Sequence, residues 1–145
     1  MKAVIQRVSN AKIEVANKVV AEIGNGLMIL LGVRKGDTLS NANELAEKCA
    51  NLRIFEDADG KFNLSLIDIR GSALVASQFT LLADTSRGRR PSFTDAEEPK
   101  RAKQLYENFI ESLNNIGILT RNGIFGERMN ISLENDGPVT IIMEV

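Results

Sequence analysis

The chain has 145 residues, 43% hydrophobic and 26% charged, enough for one globular domain burying roughly 70% of its unfolded surface. Eighteen Lys and Arg against 19 Asp and Glu give a net charge of -1, which excludes a chain that coats DNA by bulk electrostatics but leaves room for a local basic patch. Histidine is absent and Cys49 is the only cysteine, so His-based relays and general bases, the usual His-containing zinc site, internal disulfides and multi-thiolate metal sites are excluded.

The opening Met1-Lys2-Ala3-Val4-Ile5-Gln6-Arg7 breaks its apolar run early, and the longest continuous apolar stretch is Leu27–Leu31. Neither a signal peptide nor a membrane span is expected, and one cysteine suits a reducing cytoplasm. In Ala11–Val15 apolar and charged residues alternate, and Val19, Ala21 and Ile23 continue the period after Asn17-Lys18, which predicts strands with one buried face. Gly24-Asn25-Gly26 turns into Leu27–Val33, apolar on both faces and therefore a covered central strand. Asp37 or Thr38 can cap a first helix whose stripe is Ala42, Leu45, Ala46, Cys49 and Leu52. Cys49 on that stripe reads as a small buried hydrophobe.

Phe55–Phe62 predicts a hairpin turning at Asp57-Ala58-Asp59-Gly60, and Ser72–Leu82 reads as another strand. Pro99 suits the first position of a second helix, with Ala102, Leu105, Tyr106, Phe109, Ile110 and Leu113 on one face and Lys100, Arg101, Lys103, Glu107 and Glu111 on the other. Gly117 ends it. Met129, Ile131 and Leu133 alternate with polar residues, a turn at Asn135-Asp136-Gly137-Pro138 follows, and Val139–Val145 is the last strand. The expected class is α+β, a single domain over residues 1–145, with a largely antiparallel sheet or barrel-like core and two covering helices.

Three segments could carry chemistry. Ser77-Gln78-Phe79-Thr80-Leu81 places three hydrogen-bonding side chains in and beside a buried strand; alternation would put Gln78 and Thr80 on one face and Ser77, Phe79 and Leu81 on the other. Satisfied polar residues at a strand end would read the same way. Gly137-Pro138-Val139-Thr140 is either turn punctuation or a place where backbone approaches a ligand closely. Arg87, Arg89 and Arg90, in the loop after Asp84-Thr85-Ser86, are either a solvated face or a dock for a phosphate backbone, with Lys100, Arg101 and Lys103 as an extension. Asp57, Asp59 and Asp68 are too sparse to assign to a metal.

The first two segments together resemble the signature of the D-aminoacyl-tRNA deacylases. The likeness runs end to end through Ile5-Gln6-Arg7-Val8, Gly24–Gly32, Arg53-Ile54-Phe55, Ser77–Leu81, Arg90-Pro91-Ser92-Phe93 and Asn135–Thr140. It implies a compact homodimer with two active sites at the subunit interface, each facing Ser77, Gln78, Phe79 and Thr80 of one subunit with a cis Gly137-Pro138 of the other. Parallel carbonyls of that pair would exclude L-amino acids and admit D-residues or glycine. The resemblance makes Ser77–Thr80 the catalytic segment and Arg7, Leu81, Gly137, Pro138, Val139 and Thr140 substrate-binding residues, with Arg7 orienting the carbonyls. D-aminoacyl-tRNA and glycyl-tRNA are the implied substrates; no cofactor, metal, membrane or DNA partner is expected. Substrate contacts of the Gly123–Arg128 loop are the least defined.

An ester on the terminal ribose is already activated, and the neighbouring hydroxyl can assist its cleavage, so the missing histidine fits a mechanism of positioning and charge stabilisation. The expectation is that N–H groups around Phe79 and Thr80 hold the oxyanion while water attacks. Thr80 as a covalent nucleophile is the competing mechanism. From other classes, a non-catalytic RNA-binding module and an interface scaffold remain as rival readings.

Overall fold

The computed structural model describes residues 1–145. Its strands are β1 (Lys2–Val15), β2 (Lys18–Ile23), β3 (Gly26–Gly32), β4 (Phe55–Glu56), β5 (Phe62–Leu64), β6 (Ser72–Ser77), β7 (Leu119–Asn122) and β8 (Asn130–Glu144), with helices α1 (Leu39–Asn51) and α2 (Pro99–Ile116). The main sheet runs β2-β1-β3-β6-β7, and β8 also pairs with β1. Pairings around β1 are antiparallel, whereas β3-β6 and β6-β7 are parallel. The expected α+β, barrel-like core is present, with a parallel half that strand periodicity alone does not reveal.

The central strands serve two cores, which is why they read as continuous apolar runs. Leu27, Ile29, Leu31, Ala73 and Val75 face the larger core under α1 and α2. Met28, Leu74 and Ala76 face a smaller one with Val8, Ala11, Ile13, Ala21 and Ile23. At the start of β3 a Cβ on Gly26 would come within 1.9 Å of the Ser72 carbonyl oxygen, so only glycine permits this approach.

Thr38, rather than Asp37, caps α1: its hydroxyl accepts from the Asn41 N–H and the Asn41 side chain accepts from the Thr38 N–H, a reciprocal box. Asp37 instead accepts from the Met1 ammonium at 2.7 Å. Pro99 begins α2, and Gly117, left-handed at φ 100°, ends it, with the Ile118 N–H donating to the Leu113 carbonyl.

Two expected elements differ. The strand read over Ser72–Leu82 stops at Ser77, and Phe79–Leu82 forms a 3-10 turn. The turn brings Leu81 and Leu82 together over Gly32, within 3.3 and 3.6 Å of a Cβ built there; strand alternation would have sent them to opposite faces. The turn read at Asn135–Pro138 lies inside β8. Val8 pairs with Asn135 and Gln6 with Thr140, so Asp136–Val139 bulges opposite the single residue Arg7. Asn135 spans the bulge: its side chain accepts from the Val139 N–H at 2.7 Å and donates to the Val139 carbonyl at 3.1 Å.

Candidate active site

Beyond the ends of the parallel strands β3 and β6, the chain turns away from the sheet before α2 returns across it. This leaves a cavity of about 310 Å³ lined by Leu31, Val33, Ser77, Gln78, Phe79, Ala96, Glu97, Pro99, Ala102, Tyr106, Phe125 and Gly126. Crevices beyond the carboxyl ends of parallel strands are common ligand sites in open α/β sheets, and their geometry recurs in this half of the sheet. The last ladder bond of the strand is the Gln78 N–H donating to the Leu31 carbonyl at 2.8 Å.

Ser77, Gln78 and Phe79 therefore share one cavity wall, contrary to the alternation expected of a strand. Phe79 is 57% exposed and meets Phe93 edge-on, ring centroids 5.0 Å apart. The Gln78 side-chain amide donates to the Thr80 hydroxyl oxygen. Inside the 3-10 turn the first bond is from the Leu81 N–H to the Gln78 carbonyl, so the turn's own pattern uses neither the Phe79 nor the Thr80 N–H. Leu81 is half-buried behind them.

Tyr106 on α2 closes the floor and donates its hydroxyl to the Val75 carbonyl at 2.9 Å. Burial pushes its pKa above the ordinary phenol range, further from any acid-base role near neutrality. Tyr106, Glu97 and Phe125 were not legible as cavity residues. On sequence Tyr106 is simply part of the buried face of α2, and the cavity exists only because α2 starts where β6 ends.

Arg7, Gly137, Pro138, Val139 and Thr140 gather elsewhere on the chain, at the bulge. Arg7 is 5% exposed; its Nε donates to the Asp136 carbonyl at 2.7 Å and its Nη1 to the Ile54 carbonyl at 2.6 Å. The Asp136 and Glu56 carboxylates stand 3.4 and 3.8 Å away, and the Phe62 ring lies 5.1 Å from Cζ. The Gly137–Pro138 peptide is cis, and Gly137 has φ 151°; a Cβ there would lie 2.7 Å from the Val139 nitrogen. Val139 is buried in the larger core, while the exposed Thr140 hydroxyl accepts from Gln6 and Asn135. Neither Gly137 nor Pro138 lines the cavity of Ser77–Phe79 in the same chain.

The sequence model of the family described as D-Tyr-tRNA(Tyr) deacylase matches residues 4–144. A D-aminoacyl-tRNA deacylase of Aquifex aeolicus is 55% identical over 144 residues, covering 99% of this chain and 97% of that protein. One of Roseiflexus castenholzii is 58% identical, covering 99% and 92%. Among solved structures, a c-Myc DNA Unwinding Element Binding Protein superposes with TM-score 0.95 at 38% identity, over 100% of this chain and 99% of that one. A probable eukaryotic D-amino acid tRNA deacylase shares the fold, with TM-score 0.85 at 17% identity over 99% and 98%.

Full-length similarity defines the class first, an ester-cleaving hydrolase. The chain belongs to the D-Tyr-tRNA(Tyr) deacylase family and is accordingly an enzyme, a deacylase of D-aminoacyl-tRNA.

Proposed function

We infer that the enzyme hydrolyses the ester of D-aminoacyl-tRNA, and that of mischarged glycyl-tRNA, while rejecting L-aminoacyl-tRNA. It does so as a homodimer in which Ser77–Thr80 of one subunit face Gly137–Pro138 of the other. The observation that carries this reading is the separation of the two motifs: Ser77, Gln78 and Phe79 open on a cavity that the same chain's Gly137 and Pro138 do not enter. A second copy supplying them would complete the site.

In this reading the Phe79 and Thr80 N–H groups meet the developing oxyanion, water attacks the ester carbonyl, and the adjacent ribose hydroxyl assists departure of the RNA. Ser77 and Gln78 hold the turn in place. Thr80 is exposed beside the cavity rather than in its lining and acts without forming an acyl-enzyme: its hydroxyl oxygen receives the Gln78 amide, and no histidine exists to take its proton. D- and L-residues carry identical groups, so discrimination requires a rigid wall. A ten-thousandfold preference corresponds to about 5.5 kcal/mol, more than one hydrogen bond supplies. The Arg7 bonds to the Asp136 and Ile54 carbonyls anchor the backbone next to that wall.

The test pairs two variants, Phe79→Pro, which removes one N–H from the turn, and Gly137→Ala, which puts a side chain at φ 151°. Each alone is expected to lose cleavage of D-tyrosyl-tRNA. After subunit exchange, a hybrid dimer with sites shared between subunits has one intact site, and about a quarter of wild-type activity should return. No recovery from exchanged, folded subunits would refute the shared site. Wild-type turnover of D-tyrosyl- and glycyl-tRNA, with L-tyrosyl-tRNA left intact, tests the substrate assignment. Retention of tRNA without cleavage would instead favour the RNA-binding module.

A further inference from the structure

We propose that the loop Asp84–Ser92 is the enzyme's phosphate-binding surface, with the Arg87, Arg89 and Arg90 guanidiniums on backbone phosphates of the tRNA acceptor end while the ester lies at Ser77–Thr80. This rests on the deacylase reading and extends it to a tRNA contact that neither motif provides.

The charges come first. The chain as a whole is near neutral, at -1, so it has no bulk attraction for RNA and must concentrate its cations to bind a polyanion. Several of the basic groups near the cavity are already engaged, although the exposed Lys100 beside Pro99 stands singly. Arg101 pairs with Glu97 and donates to the Asp37 carbonyl, and Lys103 pairs with Glu107. Arg34 and Lys2 share Glu144. Arg87, Arg89 and Arg90 have no carboxylate within ion-pair distance, and nowhere else do three unpaired cations fall within four residues. The one carboxylate inside the loop, Asp84, is turned to the Ser86 N–H at 2.9 Å. All three arginines are exposed.

Placement comes second. The loop is closed at its base by reciprocal backbone bonds between Asp84 and Ser92, 2.8 and 2.9 Å long. The arginines lie within three residues of one side of that base or the other, so at 3.6 Å per residue their backbone stays within about 11 Å of it. The base itself adjoins the reacting segment. Asp84 follows the Phe79–Leu82 turn by two residues, and Phe93, next after Ser92, packs edge-on against Phe79. A chain of phosphates leading into the cavity would pass this loop, and guanidinium forks suit phosphate oxygens better than point charges do.

The test compares wild type with the triple variant Arg87→Gln, Arg89→Gln, Arg90→Gln on D-tyrosyl-tRNA and on D-tyrosyl-adenosine, which has the ester and terminal nucleoside but no phosphate backbone. On tRNA, KM should rise on the order of tenfold with kcat unchanged, and the slope of log kcat/KM against log salt should become shallower by about 2. Cleavage of D-tyrosyl-adenosine should not change. A triple Arg→Lys variant should restore the slope. An unchanged KM and slope on tRNA would overturn the proposal, as would equal losses on both substrates. If wild type cleaves neither substrate, the deacylase reading fails on its own. The salt slope for binding uncharged tRNA, wild type against variant, then still decides the loop's role: a shallower slope in the variant supports it and an equal slope refutes it.

Discussion

Arg7 shows how much one buried side chain can organise. Its guanidinium ties β1 to the bulge of β8 through the Asp136 carbonyl and to the segment before β4 through the Ile54 carbonyl. Lysine offers one point of contact where arginine uses a fork. Arg7→Lys should lose at least one charge-assisted bond and about 1.5–3 kcal/mol of stability, with D-tyrosyl-tRNA cleavage falling by on the order of tenfold or more. Urea unfolding and a deacylation assay check both; an unaltered rate would show that Arg7 does not act on the site. Cys49 is the opposite case, a polar atom used as bulk. Burial pushes its thiol up to about 12, so in the native enzyme it should not react with a disulfide reagent at neutral pH and should react once urea unfolds the chain. Rapid native labelling would contradict this. Cys49 was legible from its place on the α1 stripe. The carbonyl partners of Arg7 were not, because nothing local in Ile54 or Asp136 marks a backbone oxygen as an acceptor for a residue so distant in sequence.

At the scale of elements, the helices were the most legible, since their stripes and caps are local. Ala42, Leu45, Ala46, Cys49, Ala102, Leu105, Tyr106, Phe109 and Leu113 are all buried as the 3.6-residue period requires. Thr38→Ala should therefore cost about 1 kcal/mol, the usual worth of an N-cap hydroxyl, read as a lower urea midpoint with an unchanged slope; no shift would mean the cap bonds are not formed in solution. The two misread elements are the two that hold the candidate site residues. Ser72–Leu82 has strand composition throughout, yet the ladder ends where β3 ends, and Leu81 and Leu82 fold back over Gly32. Asn135–Pro138 has turn composition, yet the Asn135 side chain replaces the missing ladder bonds and the strand continues. In both, a tertiary contact overrides a local preference, which is where sequence patterns and functional sites part company.

For the whole molecule, charge rather than packing sets the response to pH. Four carboxylates are held below their ordinary range by contacts that exist only in the folded chain. For Asp57 the first cause is the Lys61 N–H, for Asp68 the Ser65 hydroxyl, for Asp84 Ser86, and for Glu144 Lys2 followed by Arg34. A depressed folded pKa means that the unfolded chain binds more protons as pH falls, so the stability these groups contribute is fully present above the unfolded value of about 4 and is lost below it. The Met1 ammonium and Asp37 form a buried ion pair, 2.7 Å apart with side-chain exposures of 0% and 9%. Removing its carboxylate leaves an uncompensated buried charge, and Asp37→Ala should cost about 3–5 kcal/mol. No imidazole titrates in between. The urea midpoint should accordingly stay nearly level from about pH 5 to 7.5 and begin to fall below about pH 4. Since acidic ranges also slow spontaneous ester hydrolysis, deacylation and unfolding should be followed on the same samples. A midpoint that moved as much between pH 5 and 7.5 as it does below 4 would assign the control of stability to groups other than these carboxylates.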